Sequence, residues 1–174
     1  MYKIVMRLNI LFKHMKATLF FILFFSVCSV FSQRKTEYDT EKQEKSDVKK
    51  AIMKFFEGFH SGDTSTIKQT IHKDLILQTV FKDKEGNDKL HHEETVKFLN
   101  AIANRPSTER WDERLLLFNI QVDGNMANVW TPYEFWYNEK FSHCGVNSFQ
   151  LLNENGNWKI FHLVDTRRKE GCLD

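Results

Sequence analysis

The segment NGNWKIFHLVDTRR, Asn155 to Arg168, opens on a turn dipeptide and continues as a strand. Asn-Gly favours a two-residue hairpin loop, because both central residues must take positive φ. The partner strand is then SHCGVNSFQLL, Ser142 to Leu152. In this register Leu151 faces Ile160, Phe149 faces His162 and Asn147 faces Val164. These residues share one face with Trp158 and His143, because strand side chains alternate.

Two further strands lie upstream, ERLLLFNIQV from Glu113 and NMANVWTPYEFWY from Asn125. Asp123-Gly124 is a strong turn signal between them, and YNEKF is a weaker one after the second. With a loop at Asn138-Glu139, Glu134 falls opposite His143 and Trp130 opposite Asn147. Pro132 cannot donate to a ladder, so a bulge is expected there, and one extra residue would bring Tyr133 onto that face in place of Glu134. Both residues are therefore candidates.

The first half of the chain has a different period. In SDVKKAIMKFFEGFHSGD, Ser46 or Asp47 caps a helix, and Val48, Ile52, Phe55, Phe56 and Phe59 recur at helical spacing before Gly62 stops it. Thr64 to Ile71 suggests a second short helix. Leu75 to Phe81, LILQTVF, reads as a strand followed by a turn at EGN. HEETVKFLNAIA, residues 92–103, reads as a third helix with Val96, Leu99 and Ile102 on one face and Pro106 just beyond it.

Helices, a strand, a helix and then four strands make an α+β pattern, three N-terminal helices packed on a curved antiparallel sheet. The order resembles the nuclear-transport-factor-2-like superfamily, which includes SnoaL-type cyclases and ketosteroid isomerase. FFEGFHSGD, DGNMANVW and NGNWKIFHLVDTRR carry the resemblance, which spans Asp47 to about Arg168. It implies a cone-shaped domain with an internal pocket and frequent homodimers. None of these segments is a catalytic motif, and fold alone does not give function. Some relatives are labelled lumazine-binding, which makes a flat heteroaromatic ligand an expectation, with Trp130 available for stacking.

The beginning of the chain points to export. Lys13 and Lys16 flank an apolar run from Ala17 to Phe31 that ends in Val-Phe-Ser. This run is shorter than the roughly 20 residues of a membrane span and fits a secretory signal peptide over 1–32, cleaved near Ser32-Gln33. A membrane anchor is the alternative reading. Met15 alone begins a complete signal, so translation could start at Met1 or Met15. Val27 before Cys28 disfavours lipidation. Residues 33–45 read as a flexible leader, and 46–174 as the domain. The expected location is secreted or periplasmic, with the membrane involved only through the export signal.

Cleavage removes Lys3, Arg7, Lys13 and Lys16 from 25 basic residues, leaving 21 against 23 acidic ones. That balance gives no electrostatic reason to expect nucleic acid. It also leaves two cysteines, Cys144 and Cys172. In an oxidising compartment two thiols tend to pair. Such a loop would stabilise the fold by roughly 3 kcal/mol. Two free thiols are the alternative.

The shared face then carries Trp158, Ile160, Phe149 and Leu151 at one end. Trp130, Glu134 or Tyr133, His143, Asn147 and His162 stand towards the other. An apolar tip with a polar mouth suits a small organic molecule. Glu134 and His143 are candidates for an acid–base pair, with Tyr133 able to hydrogen-bond an enolate. The competing reading is a cross-strand pair half in solvent. Gln78 is a further candidate polar group. The run Asp165 to Arg168 reads as an ion-paired network, or as an Arg clamp for an anion. His143 and Cys144 are neighbours in a strand and face opposite ways, which excludes a dyad between them. No metal-ligand spacing, phosphate loop or GxSxG elbow is present, so no metal and no cofactor is expected.

Overall fold

The computed structural model describes residues 38–172. Residues 1–32, expected as a signal peptide, lie outside them. The chain divides into two compact units, 1–43 and 44–174. Of the first, 38–43 are described, and they are helical. Among the described residues no helix is long and apolar enough to cross a membrane.

Helix α1 covers 38–61, so helical structure reaches back into the polar stretch expected as a leader. Its stripe of Val48, Ile52, Phe55, Phe56 and Phe59 is buried, as the helical spacing anticipates. Each such side chain contributes roughly 1.5–3 kcal/mol by leaving water. Gly62 ends the helix at φ 79°, a conformation that costs glycine little. Helix α2, Thr64–Lys68, starts at Asp63, whose carboxylate accepts from Ser65 N at 2.9 Å and Thr66 N at 3.1 Å. Helix α3, Thr95–Ala103, begins three residues later than the sequence suggests, because His91 and His92 belong to a strand. It buries Ile102 and packs Phe98 and Leu99 on the core, while Val96 points outward.

The described residues form seven strands, with α3 between the second and third: β1 Ile71–Lys82, β2 Asp88–Glu93, β3 Trp111–Leu115, β4 Asn119–Asp123, β5 Met126–Tyr137, β6 Lys140–Glu154 and β7 Asn157–Thr166. The order is β2-β1-β7-β6-β5-β3, with β4 also paired to β5. The sheet is mixed, not purely antiparallel, because β1 runs parallel to β7. The expected strand ERLLLFNIQV is two strands, β3 and β4, which pair with successive parts of β5. This is the α+β cone expected from the sequence, with one sheet face against the helices. The core gathers Phe56, Val129, Phe149, Leu151, Trp158 and Ile160 between them.

The hairpin loops fall at Asn155-Gly156 and Asn138-Glu139, all four residues having positive φ. Two bulges then change the register. Ser142 is an extra residue in β6, so Phe135, not Glu134, faces His143, and Thr131, not Trp130, faces Asn147. Phe161 is an extra residue in β7. Leu151 still faces Ile160, but Phe149 faces Leu163 and Asn147 faces Asp165. The irregularity expected at Pro132 lies elsewhere: Pro132 pairs regularly with Val146.

Candidate functional site

The concave sheet face and the helices enclose a cleft of about 1680 Å³ that opens to solvent. It exceeds the roughly 300–1,000 Å³ of an ordinary ligand site because the mouth is included. Phe55, Phe59, Phe98, Trp111 and Phe135 supply aromatic walls. Phe59 and Phe98 stack with centroids 6.4 Å apart, and Phe59 meets Trp111 at 5.8 Å.

The bulges decide which polar groups reach this cleft. Tyr133, His143 and Asn147 line it. Trp130, Glu134 and His162, expected on the same face, have their side chains on the opposite one. Trp130 is 51% exposed. Glu134 Oε2 accepts from Trp136 Nε1 at 2.9 Å. His162 Nε2 lies 2.8 Å from Gln78 Oε1, whose amide nitrogen lies 3.3 Å from the His92 ring. The expected Glu134–His143 pair is therefore absent. Each correction is one residue along a strand, which turns a side chain through the sheet.

In their place stand Asp165, Glu113 and Arg167. The Tyr133 hydroxyl is shared between Asp165 Oδ2 and the Thr166 carbonyl, both at 3.0 Å. Asp165 also accepts from Thr79 Oγ1 at 2.5 Å and from Arg167 Nε at 2.8 Å. Three donors on one carboxylate satisfy a charge that burial would otherwise make costly. The Tyr133 phenol is pushed well above its ordinary range, first by burial and then by the charge of Asp165.

Glu113 comes from edge strand β3. Its backbone N–H donates to His60 Nε2 at 2.9 Å. The ring of His60 is held by the end of α1, where Arg105 donates to the Phe59 and His60 carbonyls at 3.2 and 2.6 Å. Burial lowers the His60 pKa, in keeping with a neutral acceptor ring. The Glu113 side chain accepts from Asn147 Nδ2 at 2.7 Å. Removal from water, with Asp165 nearby, raises its pKa to about 8, against the partial opposition of Asn147 and Arg167. His143 moves the other way, to about 4, through burial and then the charge of Arg167. Its ring stacks on Phe135 at 5.0 Å and meets the edge of Tyr133 at 5.9 Å. At neutral pH the cleft thus presents a protonated carboxyl, the reverse of its state in water, beside an imidazole held firmly neutral.

The mouth is tied by the C-terminal segment. Cys144 and Arg168 exchange backbone hydrogen bonds of 2.9 Å in both directions. Cys144 is disulfide-bonded to Cys172, with Cα atoms 5.8 Å apart, the pairing expected from export and cysteine count. Of the DTRR run, Asp165 and Arg167 form the expected ion pair, while Arg168 donates to the Gly171 carbonyl. Among the described residues no cluster of three or more His, Cys, Asp or Glu is arranged to hold a metal.

Sequence reasoning missed Glu113, Thr79 and the cleft role of Asp165. Glu113 read as the first residue of a long strand, and Asp165 as one place off the pocket face. The available signal was chemical: an acid on a strand face that turns inward is costly unless partnered.

Cone and cleft together have the architecture of the nuclear-transport-factor-2-like fold. A family described as "Putative lumazine-binding" matches residues 43–164, and the chain belongs to that family. No curated protein matches the sequence. Among solved structures, an NTF2-like protein of unknown function from Shewanella baltica is 14% identical over 74% of this chain and 96% of its own, with a TM-score of 0.54. A structure described as a putative dehydratase of the NTF2-like family from Streptomyces avermitilis is 13% identical over 73% of this chain and 97% of its own, TM-score 0.56. The association domain of C. elegans CaMKII is 16% identical over 73% of this chain and 98% of its own, TM-score 0.54. Likeness at these identities defines the fold alone.

Proposed function

We propose that the chain is an exported protein that binds a small organic molecule in the cleft of its cone. The observation that carries this reading is the division of the cleft: aromatic walls from Phe55, Phe59, Phe98, Trp111 and Phe135, and one polar wall from Glu113, Tyr133, His143, Asn147 and Arg167. Apolar walls supply affinity, and a few fixed polar groups supply orientation. The family description makes a flat heteroaromatic ligand the first class to try. With Trp130 on the opposite face, stacking falls to Phe98, Trp111 or Phe135. Export rests on the apolar segment 17–31 and agrees with the disulfide. The location is then the periplasm or the medium, and a homodimer is the expected assembly. Native mass spectrometry of the mature protein from a bacterial periplasm tests the proposal. A stoichiometric extra mass, released on unfolding and lost in Phe135→Asp, supports it. A bare mass, with no binding in a screen of aromatic heterocycles, overturns it.

A second reading is an enzyme of the isomerase, dehydratase or cyclase type, working by proton transfer. The pKa separation between Glu113 and His143 favours it, because acid and base roles follow groups pushed apart by their surroundings. His143 would accept a proton and Glu113 would donate one, with Glu113 in the place first assigned to Glu134. A verified substrate turned over at the wild-type rate by His143→Ala would remove this reading.

A further inference from the structure

On the reading that the cleft binds a small molecule, the geometry points to what part of that molecule is read. Glu113 Oε1 accepts from Asn147 Nδ2. The other carboxyl oxygen, Glu113 Oε2, and the amide oxygen, Asn147 Oδ1, make no hydrogen bond among the described residues, and both residues line the cleft. No fully buried polar side-chain atom among the described residues lacks a partner, so these two oxygens are not sealed inside the protein, and the cleft is the space their residues line. The hydrogen bond joins the two side chains into one unit with two unused positions. One is the free carboxyl oxygen of Glu113, and the other is the acceptor oxygen of Asn147.

We infer that Glu113 and Asn147 together read a cis-amide edge, the –CO–NH– of a lactam or cyclic imide, on a flat ring held between the aromatic walls. The carboxyl O–H donates to the ligand carbonyl, and the Asn147 carbonyl accepts the ligand N–H. A carboxylate could not do this, since it would place two acceptors against a carbonyl. Glu113 keeps its proton near neutral pH because its surroundings raise its pKa to about 8. The groups facing it are Asp165 on β7, which raises the value, and Arg167 beyond β7 and Asn147 on β6, which lower it. Tyr133 on β5 holds its own proton, and His60 on α1 is neutral. Recognition is therefore switched off by base.

The test uses 2-quinolinone, a flat bicyclic lactam whose N–H does not ionise in the range used, and N-methyl-2-quinolinone, which lacks that N–H. Binding to the intact, disulfide-bonded protein is followed by ligand fluorescence from about pH 6.5 to about pH 9.5, spanning the ionisation of Glu113. The expected result is at least tenfold weaker binding of the N-methyl compound at the low end, the size of a buried unpaired polar contact. Affinity for 2-quinolinone should fall at least tenfold across the range in the wild type. In Glu113→Gln it should stay level, because the amide always offers both a donor and an acceptor. Equal binding of the two compounds, or a level profile in the wild type, overturns the inference while leaving the cleft a binding site. Failure of both compounds to bind also overturns it. The wider reading then stands or falls separately, on whether the purified protein carries an extra mass.

Discussion

The hydroxyl of Tyr133 on β5 lies 3.0 Å from the carboxylate of Asp165 on β7, reaching past strand β6 between them. A direct contact between strands that are not neighbours needs space in the strand they bridge, and Gly145 provides it. Tyr133→Phe removes the hydroxyl and leaves Asp165 with Thr79 and Arg167. The expected cost is about 1 kcal/mol, since the acid keeps two donors and what is lost is one hydroxyl proton shared between Asp165 and the Thr166 carbonyl. Urea denaturation at neutral pH measures it. A loss above about 3 kcal/mol would mean that the phenol does more than satisfy Asp165.

Gly145→Ala should be far more damaging. A Cβ at this position would stand 1.7 Å from the Thr166 carbonyl oxygen and 2.8 Å from the Tyr133 ring. The first neighbour is backbone and cannot swing aside. The end of β7 would have to leave β6, taking Asp165 and Arg167 with it. The expected loss is at least about 3 kcal/mol, at the upper end of overpacking costs. A melting temperature within a degree or two of wild type would show that the strand relaxes without strain.

What the sequence made legible was local. The stripe on α1 from Val48 to Phe59 and the loops at Asn138-Glu139 and Asn155-Gly156 each depend on a few neighbouring residues, and each forms where the pattern puts it. The cleft was half legible, because its composition depends on register. Ser142 and Phe161 each add one residue to a strand, and neither is the glycine or proline that marks a bulge in a sequence. The shifts turned Glu134 and His162 outward and Asp165 inward. The parallel pairing of β1 with β7 joins residues more than eighty positions apart, such as Thr79 and Asp165, and no local pattern encodes that choice.

Removing the disulfide should loosen one end of the cleft without dissolving the fold. Cys172→Ala leaves the Cys144–Arg168 backbone bonds and the hydrophobic core in place. The bridge closes 28 residues of sequence, and its loss should lower stability by about 3 kcal/mol. Urea denaturation of the variant, and of the wild type with and without reductant, gives the comparison. Hydrogen exchange should rise first at Arg167 and Arg168, whose amides bond to Val80 and Cys144. Equal stability with and without reductant would mean that the C-terminal segment is held by its backbone bonds alone.

Stability should also carry the mark of Glu113 in its pH dependence. The folded pKa of about 8 lies above the ordinary 4.5, so the folded protein binds more protons than the unfolded chain between those values. The Glu113 contribution is thus fully present below about pH 4.5 and is lost as pH rises through about 8. His143 has the opposite sign. Its folded value of about 4 lies below 6.5, so its contribution is present above about pH 6.5 and is lost as pH falls towards 4. Between these limits the two groups offset one another, and from about pH 6.5 to about 8 Glu113 acts without that offset. Wild-type stability should fall by about 1 kcal/mol over that interval, a figure reduced from the full linkage value for partial solvent access. Glu113→Gln should remove the fall while keeping the contact to Asn147. Urea midpoints at the two ends of the interval, for wild type and variant, decide the matter. A wild-type midpoint that does not move would mean that Glu113 is ionised in the folded protein at neutral pH.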